Sequence, residues 1–348
     1  MVTAAGGASP QETRRPGWHH QLTTLEGWRQ FTGDAPDVPG LLPGPARDSL
    51  AGDERSCYDE RRLDYHTRLG VVATSTLRHV VNTGRRLALL NRHAVSARRG
   101  LIVSGPAGTG KTTAITQFGK THEAIDRRLY PGSDHIPVVY VTAPPAATPR
   151  MLAVEFARFL GIPVMARANI TDIIEAACGV MTDARTTVVC VDEIHNLKLA
   201  TRSGAEVSDT LKYFSERIPA TFVYAGINVE REGLFSGTRG QQIAARFTMI
   251  PAAPFPYAAE WQGLVATLED ALRLHKHPCG ALTGLDRYLH QRTGGMIGSL
   301  SHLIRGAAIE AILDGSEKIT RKLLDAIDLD HAAQARAATP GRQPARTA

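Results

Sequence analysis

The chain has 348 residues, 43% hydrophobic and 21% charged, enough apolar material for one large domain or two modest ones. No run of about eighteen apolar residues occurs, and the opening "MVTAAGGASPQETRRPGWHH" has no apolar core of a signal peptide, so a helical membrane span is excluded and a cytoplasmic protein is expected. The net charge of +6 sits in the flanks: residues 1–100 carry 14 Arg against ten acidic side chains, residues 332–348 carry three Arg and no acid, and the stretch between is nearly neutral.

Residues 1–60 are rich in Pro, Gly and Asp and lack sustained periodicity, so a largely disordered arm is expected. Within it "LTTLEGWRQF", with Trp28 and Phe31, has the makings of a helix that folds on a partner. From Arg61 to Arg98 apolar residues recur at helical spacing (Leu77, Val80, Val81, Leu87, Leu90), predicting lead-in helices to a domain that runs to residue 256.

That domain opens with "GLIVSGPAGTGKTT", an apolar strand followed by a glycine-rich loop, Gly105, Pro106, Ala107, Gly108, Thr109, Gly110, Lys111, Thr112 and Thr113. The loop fits G-x-x-x-x-G-K-[ST] at every fixed position. Its glycines let successive backbone N–H groups face an anion, and the helix that follows adds its positive end. ATP is the expected ligand, with Lys111 on the β- and γ-phosphates and the Thr112 hydroxyl on Mg2+.

Further strands are predicted at 136–143, 186–192, 220–226 and 247–255. Helical patterns lie between them, one capped by Thr148 with Pro149 in its first turn and another with Ile173, Ile174, Ala177 and Met181 on one stripe. Apolar strands alternating with helices indicate an α/β fold, a parallel five-stranded sheet covered on both faces. "TTVVCVDEIHNL" ends its strand in Asp192 and Glu193, the edge where such sheets bind ligands. Asp192 is expected to hold Mg2+ and Glu193 to take a proton from an attacking water, which favours hydrolysis over phosphoryl transfer to a small molecule.

"FVYAGIN" delivers Asn228 past the next strand, placed to orient that water. Arg246, immediately before the fifth strand, and Arg239, seven residues earlier, are candidates for an arginine that reaches a neighbour's γ-phosphate, a contribution worth roughly 10³–10⁵ in rate. Residues 257–331 lose the strand signals and read as a small helical lid, and 332–348 as a basic flexible tail. The cysteines (Cys57, Cys178, Cys190, Cys279) are scattered and make no disulfide framework. His275, His277 and Cys279 have the one spacing that suggests a metal site, but with no second ligand cluster a polar turn is the reading.

"GPAGTGKTT", "VVCVDEIHNL", "FVYAGIN", "ARF" and the helical lid resemble an AAA+ P-loop ATPase with its Walker A and Walker B motifs. More narrowly, "DYHTRLGVVATSTLRHVV", "LLNRHAVSARRGLIVSG", His195 with Asn196 after the acidic pair, and "IAARFTMIPAAPF" are similar to the TniB family of transposition ATPases, relatives of TnsC and MuB. The likeness spans about Arg61 to Leu329. It implies a homo-oligomeric ATPase that assembles on double-stranded DNA without sequence preference and recruits or activates a transposase. A nucleotide-gated protein regulator or a helicase loader shares the core motifs. Lys198, Arg202, Arg127 and Arg128 are candidate phosphate contacts, and Arg305 is the first arginine after the Gly294-Gly295 turn that a lid could offer the γ-phosphate.

Overall fold

Five apolar segments form strands: β1 (Gly100–Ser104), β2 (Val138–Thr142), β3 (Val188–Asp192), β4 (Thr221–Gly226) and β5 (Phe247–Pro251). All pair in parallel in the order β2-β3-β4-β1-β5. The structure, a computed structural model, describes residues 20–35, 37–197, 202–230 and 245–329, with the backbone alone for 202–208. The first four strands are buried almost throughout, as their unbroken Val, Ile and Leu runs require when helices cover both faces.

The helices are α1 (Leu25–Gly33), α2 (Gly44–Asp48), α3 (Gly52–Thr67), α4 (Ser75–Asn91), α5 (Lys111–Leu129), α6 (Pro149–Phe159), α7 (Ile170–Asp183) and α8 (Arg202–Arg217). Side-chain caps set their starts: the hydroxyl of Thr74 accepts from the Leu77 N–H, that of Thr148 from Met151, and the Asn169 side chain from Thr171. The predicted stripe Ile173, Ile174, Ala177 and Met181 is the buried face of α7.

After β5 come α9 (Ala259–Asp270), α10 (Asp286–Thr293), α11 (Ile297–Leu313) and α12 (Arg321–Ala326). They close around a second core containing Trp261, Leu264, Leu289, Leu300, Leu303 and Ile304. Chain order does not mark where this body begins. Tyr65 and Leu69, at the end of α3, belong to the lid's core, whereas Val80 and Leu87 of α4 belong to the sheet's. A buried ion pair fastens α3 to the lid: both Arg62 Nη atoms donate to the two oxygens of Glu317 at 2.8 Å, and both side chains are fully buried. Arg47 and the His275 N–H add to the same carboxylate.

The arm departs from its composition. Residues 25–33 form α1, which packs on α5 with Trp28 only 1% exposed, and residues 44–67 are mostly helical. The expected partner of "LTTLEGWRQF" is thus the chain's own domain. A single indole with Leu22, Leu25 and Phe31 around it buries enough apolar surface to order a segment whose average composition is polar. Residues 1–19 and the tail from 330 lie outside the described residues.

Candidate functional site

The strand order puts β4 between β1 and β3, so the ends of these strands, Ser104, Asp192 and Gly226, meet at one edge of the sheet. A cavity of about 490 Å³ opens there. Its floor is the glycine-rich loop and the first turn of α5, Ala107 to Ala114, with Glu193 and Ile227 beside it; Leu69 to Val72, Thr74 and Leu77 form one wall, and Leu268, Ile297, Gly298, Ser301 and Arg305 of the lid form the other.

Gly108 and Gly110 take φ of 79° and 84°, the left-handed region that side chains resist. α5 starts directly after Gly110, so its free N–H groups face the loop. Thr109 Oγ1 and Lys111 Nζ both donate to the Pro106 carbonyl, at 2.9 and 2.7 Å. The lid rests on the same loop, the Gly298 N–H donating to the Gly108 carbonyl at 2.9 Å. Lys111 is 7% exposed; burial lowers its ammonium below the usual lysine range, and the charges of Glu193 and Asp192 oppose that shift.

Asp192 is 3% exposed and fully engaged. Its Oδ2 accepts from Thr112 Oγ1 at 2.7 Å and from the Tyr140 hydroxyl at 2.9 Å, and its Oδ1 accepts from the Glu193 N–H at 2.8 Å. Burial, with the Asp192 charge added, raises the Tyr140 phenol far above its ordinary range, so it remains an O–H donor. Glu193 and Asn228 are both non-glycine residues at positive φ, 55° and 43°. Such conformations cost about 1–3 kcal/mol each and persist where the surroundings impose them. The Glu193 carboxylate is 41% exposed and 3.3 Å from His195 Nε2. The Ile227 N–H donates to His195 Nδ1 at 3.2 Å, so in the neutral ring Nε2 carries the proton and faces Glu193.

An ammonium, a ring of backbone donors with two left-handed glycines, and a hydroxyl and carboxylate 2.7 Å apart suit a polyphosphate and a hard divalent cation that takes oxygen ligands. Lys111, Thr112, Asp192 and Glu193 are brought together at this edge. Asn228 follows Ile227 but does not itself line the cavity.

Arg246 is elsewhere. It precedes β5 at the opposite end of the sheet, beside a second cavity of about 310 Å³ floored by Phe222, Tyr224 and Phe247, with its guanidinium 3.8 Å from Glu216. Arg305 lines the first cavity, but its guanidinium donates to the carbonyls of His66 and Thr67 at the end of α3. Arg127 pairs with Glu123. His275 bonds Tyr58, and His277 bonds Glu269 and the Ile319 N–H, so these ring nitrogens serve a structural turn. Arg239, Lys198 and the side chain of Arg202 lie outside the described residues. The contacts of two residues at this edge escaped the sequence reading, although His195 is among the residues that carry the family resemblance. Tyr140 sits in an apolar strand where packing explains it, and His195 reaches Glu193 only because of the turn at the end of β3.

This sheet order, loop and acidic strand end define the P-loop ATPase class with the AAA+ fold, and the same architecture occurs in solved origin-recognition proteins. The Aeropyrum pernix ORC1 protein in complex with DNA matches at 16% identity and a TM-score of 0.58, over 77% of this chain and 66% of that one. The Aeropyrum pernix ORC2 protein in its ADPNP-ADP complexes matches at 16% identity and 0.55, over 71% and 65%. Drosophila ORC bound to DNA matches at 16% and 0.50, over 86% and 71%. The chain therefore spans about two thirds of the length of the two Aeropyrum proteins. No curated protein sequence matches it. The family model "Bacterial TniB protein" matches residues 76–257, and the chain belongs to the TniB family.

Proposed function

We propose that the protein is an ATP-hydrolysing transposition factor that assembles head to tail on double-stranded DNA and there recruits or activates a transposase. The observation that carries the catalytic part is the meeting of Lys111, Thr112 and Glu193 in one cavity under the lid, with the buried Asp192 bonded to Thr112 and to the Glu193 N–H directly behind them. Membership of the TniB family supports the transposition part, and the DNA-bound states of the ORC proteins of like fold support the DNA part.

In this reading the Gly108–Thr112 backbone cradles the phosphates, and Lys111 exchanges the Pro106 carbonyl for phosphate oxygens. Thr112 and Asp192 hold Mg2+, which when bound neutralises phosphate charge and polarises the γ-phosphate. The Glu193 carboxylate accepts a proton from the attacking water, and the His195 Nε2–H keeps that carboxylate turned towards the cavity. Asn228 orients the water. Arg246 acts on the neighbouring subunit's nucleotide, since it is too far round the sheet to serve its own.

The test is ATP hydrolysis by purified protein with and without duplex DNA, with electron microscopy of the same samples in a slowly hydrolysed ATP analogue. DNA-dependent rings or filaments with altered turnover support the proposal. Nucleotide binding with no response to DNA moves the reading to a nucleotide-gated protein regulator or a helicase loader.

A further inference from the structure

α1 is built into the helix that carries the phosphate loop. The Trp28 indole lies over Gly119 of α5, where a β-carbon would come within 2.7 Å of the ring, so only glycine leaves room for it. Its Nε1–H donates to the buried Glu123 carboxylate. Lys120 Nζ closes the other end of α1 by donating to the carbonyls of Phe31 at 3.0 Å and Asp34 at 2.7 Å. Gly119, Lys120 and Glu123 all belong to α5, whose first residues are Lys111 and Thr112.

A further contact of the indole leads to the cation site. Trp28 stacks on Tyr140 with ring centroids 5.7 Å apart and planes 13° from parallel. Tyr140 in turn donates to Asp192 Oδ2 at 2.9 Å. Of the three donors on that carboxylate, Thr112 is itself a candidate ligand of the cation, so the Tyr140 hydroxyl and the Glu193 N–H fix its orientation from outside the ligand set. The Glu193 N–H is held by the backbone. Tyr140 is held by what packs against its ring, and Trp28 is the stacked partner.

We infer that Tyr140 is a positioning residue for Asp192 and that α1, through Trp28, locks it in place, so that Mg2+ capture at the nucleotide site depends on the N-terminal arm. This rests on the proposed Mg2+-nucleotide reading of the cavity. Outer-shell partners of metal ligands typically contribute about 10–100-fold to metal affinity, and an effect of that size is expected here.

The test is calorimetric titration of ATP into the full chain, first in EDTA and then across a Mg2+ series, for the wild type, Tyr140→Phe, Trp28→Ala and Trp28→Phe. Tyr140→Phe is expected to leave ATP affinity in EDTA within about twofold while raising the Mg2+ concentration for half-maximal effect by about 10–100-fold. Trp28→Ala should shift in the same direction by less, and Trp28→Phe, which keeps a ring on Tyr140, should recover most of that shift. If Trp28→Ala does not fold, Tyr140→Phe carries the test, because it removes one hydroxyl and keeps the ring. A Tyr140→Phe protein with the wild-type Mg2+ requirement, or one that loses affinity equally in EDTA and in Mg2+, overturns the inference. A wild type with no Mg2+-dependent ATP binding overturns the nucleotide reading itself, a result distinct from a responsive wild type matched by its variant.

Discussion

In the proposed mechanism Glu193 and Lys111 divide the chemistry between them, and their substitutions should fail in different ways. Glu193→Gln keeps the hydrogen bond from its own N–H to Asp192 and removes only the proton acceptor. ATP binding should persist while hydrolysis falls roughly 10²–10⁴-fold, as measured by turnover beside nucleotide affinity. Lys111→Ala removes the one ammonium among the described residues that line the cavity and should abolish measurable nucleotide binding in the same titration. The placement of both residues at the cavity was legible in the sequence because its signals are local: a phosphate cradle needs glycines and a lysine at fixed spacing, and a strand end is marked by where an apolar run stops. The contacts of His195 and Tyr140 were not, since that of His195 with Glu193 depends on how the turn after β3 folds, and those of His195 with Ile227 and of Tyr140 with Asp192 join different strands. A tyrosine in "VVYVT" looks like any other core residue until register places it one strand away from the acidic pair.

At the scale of elements, the junction of α3 with the lid carries buried groups that respond to pH. His66 is fully buried; its Nε2 accepts from the Arg273 N–H at 3.1 Å, so Nδ1 carries the proton and donates to the Arg62 carbonyl at 2.7 Å. Burial first, and the Arg62 and Arg273 charges after it, hold its pKa below the ordinary histidine value. A base with a depressed folded pKa contributes stability that is whole above the unfolded value near 6.5 and drains away as pH falls below it. Glu317, held below the ordinary carboxylate range by Arg62, the His275 N–H and Arg47 against the opposing effect of burial, has the same sign, its contribution being lost below about pH 4.5. Melting temperature should therefore drop from pH 7 to pH 5, and His66→Asn should flatten that slope. Glu317→Ala leaves the Arg62 guanidinium buried without its carboxylate and should cost about 3–5 kcal/mol in denaturant unfolding, the penalty of breaking a buried pair from one side. The lead-in helices were visible from their periodicity, but their split between two cores was not. Tyr65 and Val80 are both apolar positions on helices, and nothing local says that one faces the lid and the other the sheet. The arm was misjudged for a related reason: composition averages over sixty residues, while ordering of α1 is decided by Trp28 and the gap that Gly119 leaves for it.

For the whole molecule, the sheet has two working ends. The loop after β1 and Glu193 after β3 line the cavity under the lid, and the start of β5 has Arg246 at the far side. On the proposed reading, in which Arg246 belongs to a neighbour's site, this placement suits a head-to-tail assembly where one subunit's arginine completes the next subunit's cavity. That arrangement makes a specific demand on mixtures. Glu193→Gln protein keeps Arg246 but lacks the proton acceptor, whereas Arg246→Ala protein keeps the acceptor but offers its neighbour no cation. Each alone should be nearly inactive. In an equimolar mixture of randomly ordered subunits, roughly a quarter of head-to-tail interfaces pair an intact Glu193 with an intact Arg246 and should hydrolyse ATP. Recovery of turnover on mixing, with duplex DNA present and at low salt where phosphate contacts are strongest, is the expected result. Strict additivity of two inactive proteins would mean that Arg246 does not act between subunits, and its 3.8 Å approach to Glu216 would then be a local ion pair and nothing more.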